Sequence, residues 1–314
     1  AARPSSPPHP PRPMNPNKPR LFSLTSVDGR TRADIVPELG GIVSSLHLPD
    51  AAGTSRECLF RYPWFWDPHT AELRGGIPPL FPVCGRLMRA DVLGGYEING
   101  RAFVLPLHGF AMRRSWTVAD AARPDRIRLR LTDDPETRAM YPFPFELELV
   151  YAISNAGLTC RLTVRNPGRD RLPFYAGFHP YFLTPPPGAG KEQTHFTAQP
   201  HTRHLYNATK SDLVATAPVP EFPMSVANVD INELLLEVGD RGETRLQWPD
   251  GFVLVQSASP ELPYRQFYTL PDQPFFCDEP WMAPPGTLNH LERTPGLPPG
   301  AEITCSVRIA ARRA

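Results

Sequence analysis

Three polar residues stand apart because each is set in an otherwise apolar, proline-bounded segment. They are His108 in Leu105-Pro-Leu-His108-Gly-Phe110, His179 in Phe174-Tyr-Ala-Gly-Phe178-His179-Pro-Tyr-Phe182, and Glu279 in Phe275-Phe-Cys-Asp278-Glu279-Pro-Trp281. A histidine, with an ordinary pKa of about 6.5, and a carboxylate form the pair needed to move protons to and from oxygen near neutral pH. Apolar surroundings raise a carboxylate's pKa toward the working pH, which suits a general base. Taken singly, each residue also reads as a hydrogen-bonded core or turn side chain; three such settings in one chain point to a site. Trp64, Phe65, Trp66, Trp116, Tyr181 and Trp281 offer flat apolar walls. Such walls with few polar groups describe a small-molecule pocket that a sugar ring would fit, although each aromatic alone is equally a core residue.

Other chemistries find less support. No G-x-G-x-x-G follows a strand-like segment, no G-x-x-x-x-G-K-[ST] occurs, Gly188-Ala-Gly190-Lys191 is too short for a phosphate loop, and there is no G-x-S-x-G elbow. His201-x-x-His204 with nearby His195 is the one histidine cluster, but it is proline-flanked and lacks an adjacent carboxylate or cysteine, so no metal site is expected. The cysteines (Cys58, Cys84, Cys160, Cys277, Cys305) form no C-x-x-C pair and suggest neither a disulfide framework nor a zinc knuckle. Asn207-Ala-Thr209 matches a glycosylation sequon by chance, in a chain read as having no secretory signal. With 33 Lys+Arg against 32 Asp+Glu, the chain lacks the basic surplus that binding nucleic-acid phosphates demands. No uncharged apolar run approaches the roughly 20 residues of a membrane span.

The elements that must position these residues read as strands. Residues 1–20 are Pro/Ser-rich and aperiodic, and are expected to be a disordered tail with Met14 as a plausible start; residues 21–314 are expected to form one domain. Short β segments at 21–27, 32–36 and 42–48 are separated by Asp28-Gly29 and Gly40-Gly41. Asn99-Gly100 between 96–98 and 101–104 predicts a tight type I′ hairpin. Alternation or β-rich composition continues at 115–119, 127–132, 145–153, 158–164, 244–248, 252–257 and 303–309, with Asn155-Ala-Gly157 as a second hairpin turn. One or two helical turns are expected at 134–140, capped by Asp133 or Asp134 and ended by Pro142. Residues 185–191 read as a long surface loop. The expectation is an all-β protein, a large twisted antiparallel β-sandwich with few short helices.

An ordered set of segments resembles the aldose 1-epimerase (galactose mutarotase-like) superfamily. They are Arg74-Gly-Gly-Ile-Pro-Pro-Leu-Phe-Pro-Val-Cys-Gly-Arg86-Leu, Leu-Pro-Leu-His108-Gly-Phe-Ala, Tyr141-Pro-Phe-Pro-Phe145, Gly177-Phe-His179-Pro-Tyr-Phe, and Cys277-Asp-Glu279-Pro-Trp281-Met-Ala-Pro-Pro-Gly-Thr-Leu-Asn289. The resemblance implies a β-supersandwich and interconversion of the α and β anomers of a hexose without cofactor or metal. It implies Glu279 as the base that removes the C1 hydroxyl proton and His179 as the acid that protonates the ring oxygen. His108 would hydrogen-bond the sugar, and Arg86 or Arg89 would orient its hydroxyls. Trp281 is expected in the binding wall, and Asp230 in Asn228-Val-Asp230-Ile-Asn232 is the candidate sugar-binding acid.

This chain also departs from the pattern. Met112 stands where His-Gly-Phe-Ala is commonly followed by arginine, with Arg113 and Arg114 next, and Met88-Arg89 replaces the galactose-type Asn-Arg pair. Arg74 before Gly-Gly-Ile-Pro resembles members acting on hexose 6-phosphates, where an arginine fork would take the phosphate. The Leu80-Phe-Pro-x-x-Gly-Arg86-Leu and Glu279-Pro-Trp281 forms are more similar to the plain aldose-epimerase branch. A free aldose is therefore expected first and a sugar phosphate second, with a noncatalytic carbohydrate-binding protein of the same fold as the alternative of another class. A glycoside hydrolase or lyase would need a second carboxylate across the site, and the sequence offers no convincing partner. The expected partner is a small-molecule sugar or sugar phosphate, with no nucleic acid and no membrane; the chain is expected in the cytoplasm as a monomer or weak homodimer.

Overall fold

The computed structural model describes residues 19–239 and 242–312. The expected tail, residues 1–20, lies outside the described residues except for Pro19 and Arg20. Two antiparallel sheets dominate. One has nine strands, in the spatial order Thr117–Arg123, Arg126–Thr132, Glu146–Ser154, Gly157–Arg165, Glu302–Arg312, Val253–Ala258, Glu243–Gln247, His195–Thr197 and Met224–Ser225. The other has eight. Its main path runs Leu213–Ala217, Pro200–Tyr206, Leu234–Val238, Tyr264–Tyr268, Phe275–Trp281, Gly177–Phe178 and Pro79–Leu80, with Tyr181–Leu183 also pairing onto Phe275–Trp281. A four-stranded sheet formed by Phe22–Thr25, Arg32–Val36, Ile42–Pro49 and Ser55–Glu57 flanks them.

Local sequence accounts for much of this. Asn99 and Gly100 both take positive φ, and Ile98 pairs with Arg101 across them, as a type I′ turn requires. The helix Pro135–Met140 starts at Asp134, whose carboxylate accepts from the Thr137 amide while Thr137 returns a bond to the Asp134 amide, and proline opens the first turn. Ser154 pairs with Gly157 across a two-residue turn.

The hydrophobic core fills the space between the two large sheets. Phe196 from the nine-stranded sheet lies 4.8 Å, ring to ring, from both Phe267 and Phe276 of the eight-stranded sheet, which fixes those two positions as inward-facing. Because side chains alternate along a strand, Cys277, Glu279 and Trp281 point to the opposite face. That outer face is roofed by connecting segments: every residue of Phe275–Trp281 is buried, and Phe60, Tyr181, Phe275 and Cys277 form a second apolar cluster there. Among the described residues, no helix is long and apolar enough to cross a membrane.

Gly109 shows how closely the roof is fitted. Its φ is +70°, and a Cβ there would lie 2.3 Å from the carbonyl oxygen of Phe81. Gly109→Ala should therefore lower stability by more than about 1 kcal/mol, read from urea denaturation. An unchanged midpoint would contradict this close approach.

Candidate active site

Glu279 and Gln266 are directly paired residues on adjacent strands and share the outer face. His179 sits in the turn between Gly177–Phe178 and Tyr181–Leu183, with its amide donating to the Pro78 carbonyl at 3.0 Å. The sheet geometry brings His179 Nε2 to 3.4 Å from Glu279 Oε2, with each side chain only 3% exposed. The Tyr181 ring stacks on the His179 ring at 4.5 Å and 7°, and its hydroxyl stands 3.4 Å from the same Nε2. His108 completes the group, its ring 5.0 Å from that of His179 and 5.8 Å from that of Trp281.

His108 is held by backbone. Its φ is +61°, its amide donates to the Gly85 carbonyl at 3.1 Å, and the Gly85 amide donates to its Nδ1 at 3.0 Å. Nδ1 is thus an acceptor, and the neutral ring carries its proton on Nε2, aimed as a donor. Arg113 Nη1 donates to the carbonyls on either side of His108, Leu107 at 2.9 Å and Gly109 at 3.1 Å. Met112 packs in the core instead. The arginine displaced by one residue in the sequence therefore braces the His108 turn.

These groups line a cavity of about 150 Å³ with Arg86, Lys210, Glu233, Tyr206, Tyr268 and Tyr62 among its other walls. Arg86 Nη1 lies 3.1 Å and 3.3 Å from the two carboxylate oxygens of Glu233, and Lys210 Nζ lies 3.2 Å from one of them. Two cations from distant segments thus clamp one carboxylate at the pocket wall. Tyr206 donates its hydroxyl proton to Gln266 at 2.5 Å.

The structure gathers His108, His179, Glu279, Arg86 and Trp281 and leaves three expected residues outside. Asp230 is exposed and does not line the cavity; the acidic side chain that joins Glu279 there is Glu233, three residues on, whose φ is 64°. Arg89 is exposed and paired with Glu97 at 2.9 Å. Arg74 spends its guanidinium on the Phe65 and Asp67 carbonyls at 2.6 Å and 2.5 Å, pinning the loop beside the site. Of the expected aromatic walls, Tyr181 and Trp281 line the cavity, Phe65 and Trp116 are core, and Trp64 and Trp66 are exposed. His201 and His204 lie on Pro200–Tyr206, His195 belongs to the other sheet, and His204 pairs with Glu237 at 2.9 Å.

His108, His179 and Glu279 each present a ligand-capable atom within 4.8 Å of the others. The Gly85 amide occupies the one unprotonated nitrogen of His108, which leaves a hydrogen-bond donor facing the cavity where a metal would need a lone pair. The trio is suited to moving and donating protons.

Residues 23–224 match the family described as aldose 1-epimerase. The chain belongs to the aldose 1-epimerase family. Protein LacX of Lactococcus lactis is 26% identical over 151 residues, 47% of this chain and 46% of LacX, so the match spans about half the length of the curated relatives. Among solved structures, the Slr1438 protein of Synechocystis aligns with a TM-score of 0.80 at 24% identity, covering 96% of this chain and 98% of that one. A galactose mutarotase related enzyme of Lactobacillus acidophilus aligns at 0.77 and 23%, covering 93% and 97%. At these identities the structural likeness establishes the sandwich fold.

In this epimerase-family site, burial shapes the proton equilibria. Loss of water raises the Glu279 pKa well above the usual carboxylate value, reinforced by Glu233 and Asp278 and opposed by the Trp281 indole and Arg86. Burial lowers that of His179 to about 3. Burial also lowers that of His108, helped by the neighbouring His179, Arg113 and Arg86. Both members of the central pair therefore favour their neutral forms, with the proton on Glu279.

This has a stability consequence. A carboxyl group whose folded pKa lies above its unfolded value contributes fully below about pH 4.5, and that contribution is lost as the pH rises toward the folded pKa. Glu279→Gln, which removes the ionisation and keeps the shape, should melt at a higher temperature than the parent, with the gap widening from pH 5 to pH 9. A gap independent of pH would show that Glu279 does not carry this burial cost.

Proposed function

We propose that this protein is a cofactor-independent aldose 1-epimerase acting on a free hexose, with Glu279 and His179 as its proton-transfer pair. The observation that carries the reading is the 3.4 Å approach of His179 Nε2 to Glu279 Oε2 at a buried end of the cavity. Anomer exchange takes a proton from the C1 hydroxyl and gives one to the ring oxygen, two atoms bonded to the same carbon. Two proton-carrying groups side by side fit that task.

The pair enters the reaction with one proton to share. With that proton on His179, Glu279 accepts the C1 hydroxyl proton while His179 protonates the ring oxygen; the C1–O5 bond opens to the aldehyde. Rotation about C1–C2 presents the other carbonyl face, and the reverse transfers close the ring with the pair's proton count restored. The state with a neutral glutamic acid and a neutral histidine holds the same number of protons, so a proton shift across 3.4 Å converts the resting pair into the reactive one. His108 donates from Nε2 to the sugar. Glu233, clamped by Arg86 and Lys210, accepts hydrogen bonds from sugar hydroxyls, and Trp281 and Tyr181 supply apolar walls.

The placement of the arginines favours an uncharged aldose over a sugar phosphate. Arg74 is committed to backbone carbonyls and Arg89 to Glu97, while Arg86 and Lys210 share Glu233. Anomer exchange followed by NMR for glucose, galactose and glucose 6-phosphate tests the reading. The wild type should accelerate a free hexose most, and His179→Asn should lose roughly 10²–10⁴-fold in rate. Sugar binding by calorimetry without any acceleration would make the protein a binding module.

The rate should be bell-shaped in pH, because only the one-proton form of the pair works. Activity falls in acid as the pair takes a second proton and in alkali as it loses its last. The raised Glu279 and lowered His179 values set a plateau broader than separate groups at about 4.3 and 6.5 would give. Activity confined to a narrow peak near pH 5.5 would contradict the shared-proton assignment.

A further inference from the structure

Directly behind Glu279, between the two sheets, lies an ion pair that the proposed reaction does not touch. Arg265 Nη1 stands 3.3 Å from Asp278 Oδ1, with the two side chains 0% and 1% exposed. Asp278 is the chain neighbour of Glu279 on the same strand and projects from its opposite face, into the core. The pair is poorly satisfied: neither Asp278 oxygen makes a hydrogen bond of good geometry, nor do Arg265 Nε and Nη1. What the network does make are ties across the sandwich. Arg265 Nη2 donates to the Gly242 carbonyl and, at 3.3 Å, to that of Gln256, while Gln256 Nε2 donates to the Asp278 carbonyl at 2.8 Å. Gln256 belongs to the nine-stranded sheet, so the peptide preceding Glu279 is bolted to the opposite layer.

A buried pair with so few hydrogen bonds is a weak source of stability. Desolvating both ions costs several kcal/mol each, and apolar replacements of similar volume are often neutral or stabilising. Its position one residue from the central carboxyl suggests another role. We propose that the Arg265–Asp278 pair is a positioning device for the proton-transfer site, fixing the backbone at Glu279 and placing an arginine-paired carboxyl group behind it. This rests on the reading of Glu279 as a proton-transfer group.

The electrostatics run in the same direction. Negative charge at Asp278 disfavours a second negative charge at Glu279 and so helps the glutamate keep its proton. Burial raises the Asp278 pKa, and Arg265, with Thr244 and Gln256, opposes that rise. From the other elements packed around it, Glu279 is faced by Glu233, which acts like Asp278, and by Arg86 and the Trp281 indole, which oppose it. His179 faces it from the turn beside it and Tyr181 from the strand that follows, His108 from the roof, Tyr268 from the adjacent strand, and Tyr206 and Lys210 from further along the cavity wall, with Cys84 and Cys277 also near.

Two variants test this: Asp278→Asn, and the charge-free double variant Arg265→Met with Asp278→Val. The readouts are melting temperature, kcat and KM for anomer exchange across pH 4 to 10, and the infrared carboxylic-acid band of Glu279, assigned by its loss in Glu279→Gln and titrated without substrate. Asp278→Asn should move the alkaline limb of kcat and the band's midpoint down by about 1 pH unit, with KM within about twofold. The double variant should melt at or above the wild-type temperature yet lose about tenfold in kcat, and it decides the matter if the single variant fails to fold. A change in melting temperature alone, with kcat and both midpoints at wild-type values, would reduce the pair to a structural element and overturn the proposal. If the wild type exchanges no aldose but the band still shifts in Asp278→Asn, the epimerase reading fails while the pair's electrostatic hold on Glu279 stands.

Discussion

Exclusion of water from Glu279 and His179 is the constraint on which the rest of the site depends. A carboxyl group and an imidazole 3.4 Å apart in water would stabilise each other's charged forms by only about 1 kcal/mol and exchange protons with solvent. Buried beneath the roof at the inner end of the cavity, both favour their neutral forms. The roof is the set of connecting segments that fold over the strand Phe275–Trp281, and its closeness is visible in Gly109 against Phe81 and in the exchange of hydrogen bonds between Gly85 and His108. A looser roof would admit water and return both groups toward their solution behaviour.

The sandwich is suited to this. A strand in the middle of a sheet is anchored on both edges, so Glu279 is fixed by its pairing with Gln266 and its strand by the partners beyond. The residues that need exact aim come from strands and from turns immediately flanking strands. Those that set the outer wall, Lys210 and Glu233, sit in left-handed turn conformations and are tied to each other by charge. Rigidity and burial thus come from the sheet, while the polar pattern that a sugar would meet comes from the turns.

Seven strands of the nine-stranded sheet were legible in the sequence; its short strands His195–Thr197 and Met224–Ser225 and the eight-stranded sheet were not. Segments at 115–119, 127–132, 145–153, 158–164, 244–248, 252–257 and 303–309 all fall in the nine-stranded sheet, because one of its faces meets solvent and its strands alternate apolar and polar residues. Strands such as Tyr264–Tyr268 and Phe275–Trp281 are covered on both faces, so their residues carry little alternation and read only as apolar, proline-bounded segments. That same double cover is why Glu279 stood apart on its strand before any fold was known, while His108 and His179 stood apart as polar residues in buried, proline-bounded turns.

The sequence by itself determined the all-β class, the two-residue turns, the capped helix and the three residues at the centre of the site, since each rests on local chemistry: turn conformations, a capping box, a polar group among apolar neighbours. Tertiary structure alone decided which charges meet there. Glu233 and not Asp230 faces the cavity, and whether Arg74, Arg86, Arg89 or Arg113 reaches a salt bridge or a backbone carbonyl turns on segments up to about 150 residues apart in the chain. Side-chain direction and long-range pairing are properties of the assembled sheets, and no pattern within a short window encodes them.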